Sequence, residues 1–153
     1  MELDKILTPR LIVYPLSAET KEEVISILVE RLYDEGLISN PEAACQAVIE
    51  REKLMTTGIG KGVALPHGKY RETMEVLVAA GVSPEGIDFD SIDAQPVHIF
   101  ILLLTPERFP SKHLKLLSKL SRMLNNANCR AEILAAQSAN EIADIFYKYD
   151  SQV

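Results

Sequence analysis

Apolar residues along this chain fall into two rhythms, one of strands and one of helices. Val97 to Leu104 is apolar at every position but His98, which predicts a strand buried on both faces. Val76–Val82 and Leu11–Tyr14 read as further strands, the latter closed by Pro15, and Val63–Leu65 as a short one ending at Pro66. Helical spacing begins at Thr20, a cap with Glu23 in the capping-box position. There Val24, Ile27, Leu28 and Leu32 share a face interrupted by Arg31, and Gly36 is the stop. Asn40-Pro41 supplies a cap and first-turn proline for a second helix, whose Ala44, Ala47 and Val48 carry it to Arg51. Later helices are expected over Ser111–Leu124, Asn128–Ala136 and Ser138–Tyr149, the last opening on a capping box with Glu141. The order β-α-α-β-β-β-α-α-α predicts an α+β fold, and 153 residues fit one domain spanning 1–153.

Composition narrows the function. A net charge of −6 argues against non-specific nucleic-acid binding, which needs a basic footprint. No apolar run approaches the roughly 20 residues of a membrane span, and Met-Glu-Leu-Asp-Lys is not the start of a signal peptide. Cys45 and Cys129 suggest neither a disulfide framework nor a metal motif, so reduced thiols and a cytoplasmic location are expected. Against the acidic whole, Glu50 to Arg71 holds five basic residues (Arg51, Lys53, Lys61, Lys69, Arg71) and two acidic ones. That window ends near Pro66-His67-Gly68. Proline there fixes its own φ, and the glycine permits angles closed to other residues, which suits a ring aimed at a pocket. A histidine among cations and loop amides suits a phosphoryl group. A core histidine beside an ordinary surface loop fits the same residues.

Other candidates carry alternatives too. Gly58, Gly60 and Gly62 alternate around Lys61, but neither nucleotide-loop spacing is met, since Lys61 precedes a glycine and the loop feeds a strand. A flexible backbone able to approach another group remains, as in any tight turn. Arg51 sits at a helix C-terminus, where a cation is stabilising by about 0.3–1 kcal/mol without any other role. With about 100° per residue, His113 lies on the face of Leu116, Leu117, Leu120 and Leu124, where a packed, hydrogen-bonded histidine is ordinary. Lys112, Lys115, Lys119 and Arg122 form a basic stripe opposite. His98 reads as a strand-end or interface histidine. Asp88, Asp90 and Asp93 read as a plain turn, because the glycine and distal glutamate of a calcium loop are missing.

Arg51-Glu-Lys53, Thr57-Gly-Ile-Gly60, Gly62-Val-Ala-Leu-Pro-His-Gly-Lys69, Phe89-Asp-Ser-Ile-Asp-Ala-Gln-Pro-Val97, His113-Leu114 and Ala135-Ala-Gln-Ser138 together resemble one family. It is the type-2 enzyme IIA domain of the bacterial phosphoenolpyruvate-dependent phosphotransferase system, with most likeness to the nitrogen-related regulatory branch and with fructose and mannitol domains as relatives. The resemblance spans most of the chain in the family's order. It implies a mixed β-sheet sandwiched between helices (α/β/α), a domain standing alone, and a phosphotransferase component with a phosphohistidine intermediate. His67 corresponds to the phosphoryl acceptor, and Arg51 and His113 to its supporting residues. Thr57, Gly58, Gly60 and Gly62 are expected to support phosphoryl binding through backbone donors. The implied partners are the histidine-containing phosphocarrier protein and either regulatory protein targets or a sugar-specific IIB domain, with no metal, nucleotide or other cofactor and no membrane insertion. Transport and regulation are both open; genome context would separate them.

Overall fold

Strand β6 (Val97–Thr105) is the axis of the sheet, buried throughout except at half-buried His98. The chain is seen in a computed structural model that describes residues 3–108 and 110–153, the side chains of Pro110 and Lys112 being outside that description. On one side of β6 runs antiparallel β5 (Leu77–Ile87), with Val78 opposite Leu103 and Val82 opposite Ile99. Strand β1 (Ile12–Val13) adds to β5 in parallel. On the other side, β3 (Val63–Ala64) and β4 (His67–Lys69) both run parallel to β6, facing Ile99–Phe100 and Leu103–Thr105 in turn. They are two halves of one extended segment. Proline lacks the donor to continue the ladder, yet the Leu103 N–H donates to the Pro66 carbonyl (3.0 Å) and keeps the halves in line. Strand β2 (Gly58–Gly60) closes this edge antiparallel to β3.

Among the described residues six α-helices flank this mixed sheet: α1 (Leu3–Ile6), α2 (Lys21–Asp34), α3 (Pro41–Leu54), α4 (Pro110–Leu124), α5 (Ala127–Ala135) and α6 (Ala139–Asp150). One group pairs α2 with α3 against β5 and β4; the other joins α4, α5 and α6 against β6, β5 and β1. The caps sit where the sequence places them. Thr20 Oγ1 accepts from the Glu23 N–H (3.2 Å), Asn40 Oδ1 from Ala43 (3.1 Å) and Ser138 Oγ from Glu141 (3.1 Å). Each such cap is worth about 1 kcal/mol. Among the described residues, no helix is long and apolar enough to cross a membrane.

The mixed, helix-flanked sheet is as expected, but the element order is fuller. Among the described residues five strands, not three, lie between α3 and α4, and a four-residue α1 precedes β1. Helix α3 also runs one turn past Arg51, to Leu54. The Asp88–Asp93 stretch is a turn whose carboxylates are engaged: Asp88 accepts from the Asp90 N–H, and Asp93 from the Lys61 and Gln95 N–H groups. Asp90 pairs with Lys21 (3.3 Å).

Candidate active site

His67 opens β4, and the reason for the glycine after it is steric. A Cβ on Gly68 would stand 2.8 Å from Val48 N and 2.9 Å from Ala47 C, both backbone atoms of α3. The expected unusual backbone angle is not what is needed, for Gly68 is not among the positive-φ glycines. The missing side chain lets β4 lie directly on α3. Arg51 is one turn beyond Ala47, on the same helical face, so this close approach brings Arg51 to the cavity that His67 lines. His113 arrives from the first turn of α4, its ring centroid 5.2 Å from that of His67 at an interplanar angle of 69°. A cavity of about 590 Å³ is lined by Arg51, His67, Lys69 and His113, with Glu50 and Glu107 also on its wall.

The His67 ring is held in one orientation. Its Nδ1 lies 2.9 Å from the Leu65 carbonyl oxygen. A carbonyl can only accept, so this bond assigns the proton to Nδ1 and leaves the lone pair of the neutral ring on Nε2. Burial pushes the His67 pKa below its ordinary 6.5, the Leu65 hydrogen bond opposes this, the Arg51 charge lowers it further, and Glu52 raises it. His113 is likewise lowered, by burial first and then by His67, Lys69 and Arg51. At neutral pH the pair is therefore uncharged, and His67 presents a nucleophilic nitrogen.

Arg51 meets the helix-end reading and also stands at the cavity. It is half-buried in the last turn of α3 and donates from Nη1 to the Met55 carbonyl (3.1 Å), as a C-terminal cation does. It also lines the cavity beside His67. His113 is only half-buried, less packed than a place on the leucine face suggests; Leu116 and Leu120 are fully buried there.

The glycine loop is elsewhere. Thr57, Gly58, Gly60 and Gly62 are not among the described residues lining the cavity, and the amides of the first three are committed to other acceptors. Thr57 N–H goes to Glu52, Gly58 N–H to Thr56 Oγ1 (3.1 Å) and Gly60 N–H to Ser91 Oγ (3.1 Å). Gly60 and Gly62 have φ of 94° and 77°, as the β2–β3 turn requires. Lys61 is directed to Asn125, and Val63, two residues on, already faces β6 four positions from the partner of His67, about 13 Å at the strand rise. Of the basic stripe, Lys119 pairs with Asp150, Lys115 and Arg122 line a different cavity with Val153, and the Lys112 side chain lies outside the described residues. His98 is bound through Nδ1 to the Ser83 carbonyl (2.9 Å), as a strand histidine. Sequence reasoning missed Glu50, Glu107 and buried Glu52, which lines a different cavity with Lys21. Only Glu52 had a signal: Ala44, Val48 and Glu52 recur every fourth residue, which puts a carboxylate on the buried face of α3.

A family model described as "Phosphoenolpyruvate-dependent sugar phosphotransferase system, EIIA 2" matches residues 5–149. The chain is 33% identical over 150 residues to a "PTS system fructose-specific EIIABC component" of Bacillus subtilis, covering 98% of this chain but only 24% of that protein. It is 37% identical over 126 residues to a "PTS system fructose-specific EIIA component" of Haloferax volcanii, covering 82% of each. A "Nitrogen regulatory protein" of Bradyrhizobium diazoefficiens is 31% identical, with 95% of this chain and 94% of that protein covered. Among solved structures, the nitrogen regulatory protein IIA-Ntr of Neisseria meningitidis superposes with a TM-score of 0.86 at 30% identity, covering 94% of this chain and 97% of that one. In a complex of enzyme IIAMTL with phosphorylated enzyme IIBMTL from Escherichia coli, the matched chain gives a TM-score of 0.73 at 26% identity, covering 91% of this chain and 95% of that one.

Proposed function

The chain belongs to the phosphoenolpyruvate-dependent sugar phosphotransferase system EIIA 2 family, and from that premise we propose that it is a cytoplasmic phosphoryl carrier which accepts its phosphoryl group on Nε2 of His67. The donor is the histidine-containing phosphocarrier protein, and the phosphorylation state governs binding of regulated protein partners. One observation carries the reading: Nδ1 is tied to the Leu65 carbonyl in a cavity shared with Arg51 and Lys69. In the transfer, the Nε2–P bond forms as the donor's P–N bond breaks, and the donor ring regains its lone pair. The proton stays on Nδ1, where the Leu65 carbonyl stabilises the ring as it becomes cationic.

Phosphoryl transfer has a loose transition state, so positioning and charge stabilisation do most of the work. The Arg51 guanidinium and the Lys69 ammonium supply positive charge; His113, neutral and edge-on to His67, offers a ring nitrogen to the phosphoryl oxygens. Residues of the chain suffice for this chemistry without a metal or nucleotide. The phosphoryl oxygens carry roughly −1.5 to −2 charges, offset in part by the cationic ring, and stand against Arg51 and Lys69 and beside Glu50 and Glu107. A partner facing the cavity therefore meets a different charge in each state.

Regulation is supported by the near-full-length superposition on IIA-Ntr. A second reading, onward transfer to a sugar-specific IIB domain, is supported by the likeness to fructose EIIA and to the IIA chain solved with a phosphorylated IIB. Phosphoenolpyruvate and the general phosphotransfer proteins should label the wild type, and the label should be acid-labile and alkali-stable. Partners are then captured with wild type, His67→Ala and the phosphorylated form at low and high salt. State-dependent, salt-sensitive partners support regulation. Identical partner sets with rapid passage of label to a IIB domain support transport, and label persisting in His67→Ala overturns both.

A further inference from the structure

Glu52 is the one buried charged residue among the described residues, 7% exposed, and the cavity chemistry above does not use it. Its carboxylate accepts from Lys21 Nζ (3.0 Å), from the Thr57 N–H (3.0 and 3.2 Å to its two oxygens) and from Thr57 Oγ1 (2.5 Å). Lys21 is itself held between Glu52 and Asp90, 5.1 Å above the Phe89 ring. Thr57, fixed at its amide and hydroxyl, receives the Leu65 N–H on its carbonyl (3.0 Å). The carbonyl of Leu65 in turn receives the His67 Nδ1 proton (2.9 Å). Three hydrogen-bonded steps thus join a buried carboxylate to the ring that would carry the phosphoryl group.

Taking two charges out of water is costly, and an apolar pair of similar volume is often as stable. An ion pair in that place has to be explained by what it positions. We propose that Glu52, capped by Lys21, is a positioning residue for His67: it fixes Thr57, and through Thr57 the Leu65 carbonyl, so that the proton stays on Nδ1 and Nε2 is left open to phosphorus. The link is mechanical, since the donor and acceptor of Thr57 belong to different peptide groups. A plain helix-end bracket would use the same contacts but would leave the ring indifferent to Glu52. This inference rests on His67 being the acceptor, and its test separates the two claims.

Imidazole nitrogen spectra of the unphosphorylated protein report the tautomer directly. Phosphoramidate serves as a small donor: its P–N bond breaks as Nε2–P forms, and the leaving nitrogen takes a proton from solvent and departs as ammonia. In the wild type a single Nδ1–H tautomer is expected. In Glu52→Ala the tautomers should mix and His67 phosphorylation should slow about tenfold or more, in keeping with the sensitivity of transfer to small misplacements. Glu52→Gln keeps an oxygen for the Thr57 amide and should retain the wild-type tautomer and most of the rate. A folded Glu52→Ala with the wild-type tautomer, or a mixed tautomer with an unchanged rate, overturns the proposal. Should Glu52→Ala fail to fold, Thr57→Val, which drops only the hydroxyl donor, is read the same way. It should partly mix the tautomers, and an unmixed ring there is equally fatal. A wild type that takes no phosphoryl group on His67 would refute the carrier reading while the tautomer comparison still decides the role of Glu52.

Discussion

Gly68→Ala is the sharpest perturbation of the route by which Arg51 reaches His67. The added methyl would meet Val48 N at 2.8 Å, Ala47 C at 2.9 Å and Val48 Cα at 3.1 Å, all backbone. The shortest falls about 0.6 Å below the start of ordinary contact at 3.4 Å, so strand and helix must part. A main chain cannot rotate aside as a side chain does, and overpacking of this kind costs about 1–3 kcal/mol. For a domain of this size that is a fall in Tm of very roughly 2–12 °C. The same separation draws Arg51 away from His67, and a misplacement near 1 Å costs up to about a hundredfold in rate; several tenths of an ångström should cost about tenfold. Calorimetry gives the first quantity, and the rate of phosphoryl acceptance per folded molecule the second. A Gly68→Ala protein with unchanged Tm and rate would refute the steric reasoning. Lost stability with an intact rate would show that the packing of β4 on α3 does not position Arg51.

Arg51→Ala should slow phosphoryl acceptance by more than about tenfold while costing no more than about 1 kcal/mol in urea unfolding, the scale of a helix-end cation. His113→Gln should keep the fold and accept phosphoryl slowly, as the nucleophile is intact; measured stability loss with an unchanged rate would make it a packing residue. Because burial and nearby cations depress both histidines, acceptance should stay level as pH falls through 6.5 and drop only below it, and a pH–rate profile checks this. Stability follows the same sign: between the folded pKa values and 6.5 the unfolded chain binds more protons, so it is full above 6.5 and declines as pH falls through that window. Melts of wild type against His67→Ala across that range isolate the His67 share.

Strong periodicity made the sequence legible where one element decides its own structure. Strand β6, helices α2 and α6 and the three caps could be read because apolar spacing and cap chemistry are local. Strand β4 could not, because Pro66 reads as a strand end and only the Leu103 N–H on its carbonyl shows that the segment continues. Gly58–Gly60 has little side chain to signal a strand, and the tail of β5 passes through Pro84 and Gly86 at a register shift. The meeting of Arg51 with His67 depends on the contact of Gly68 with α3, and that of His113 on the packing of α4 against β6, neither of which any spacing along the chain encodes; resemblance supplied the trio. The glycine loop misled because free amides were assumed where Ser91, Thr56 and Glu52 take them.

The central claim is that His67 takes the phosphoryl group through Nε2, and nitrogen–phosphorus correlation spectra of the phosphorylated protein test it most directly. With Nδ1 bound to the Leu65 carbonyl, the account requires phosphorus on Nε2 of His67, with a proton retained on Nδ1 and no label in His67→Ala. Phosphorus on Nδ1, or on His98 or His113, would contradict it.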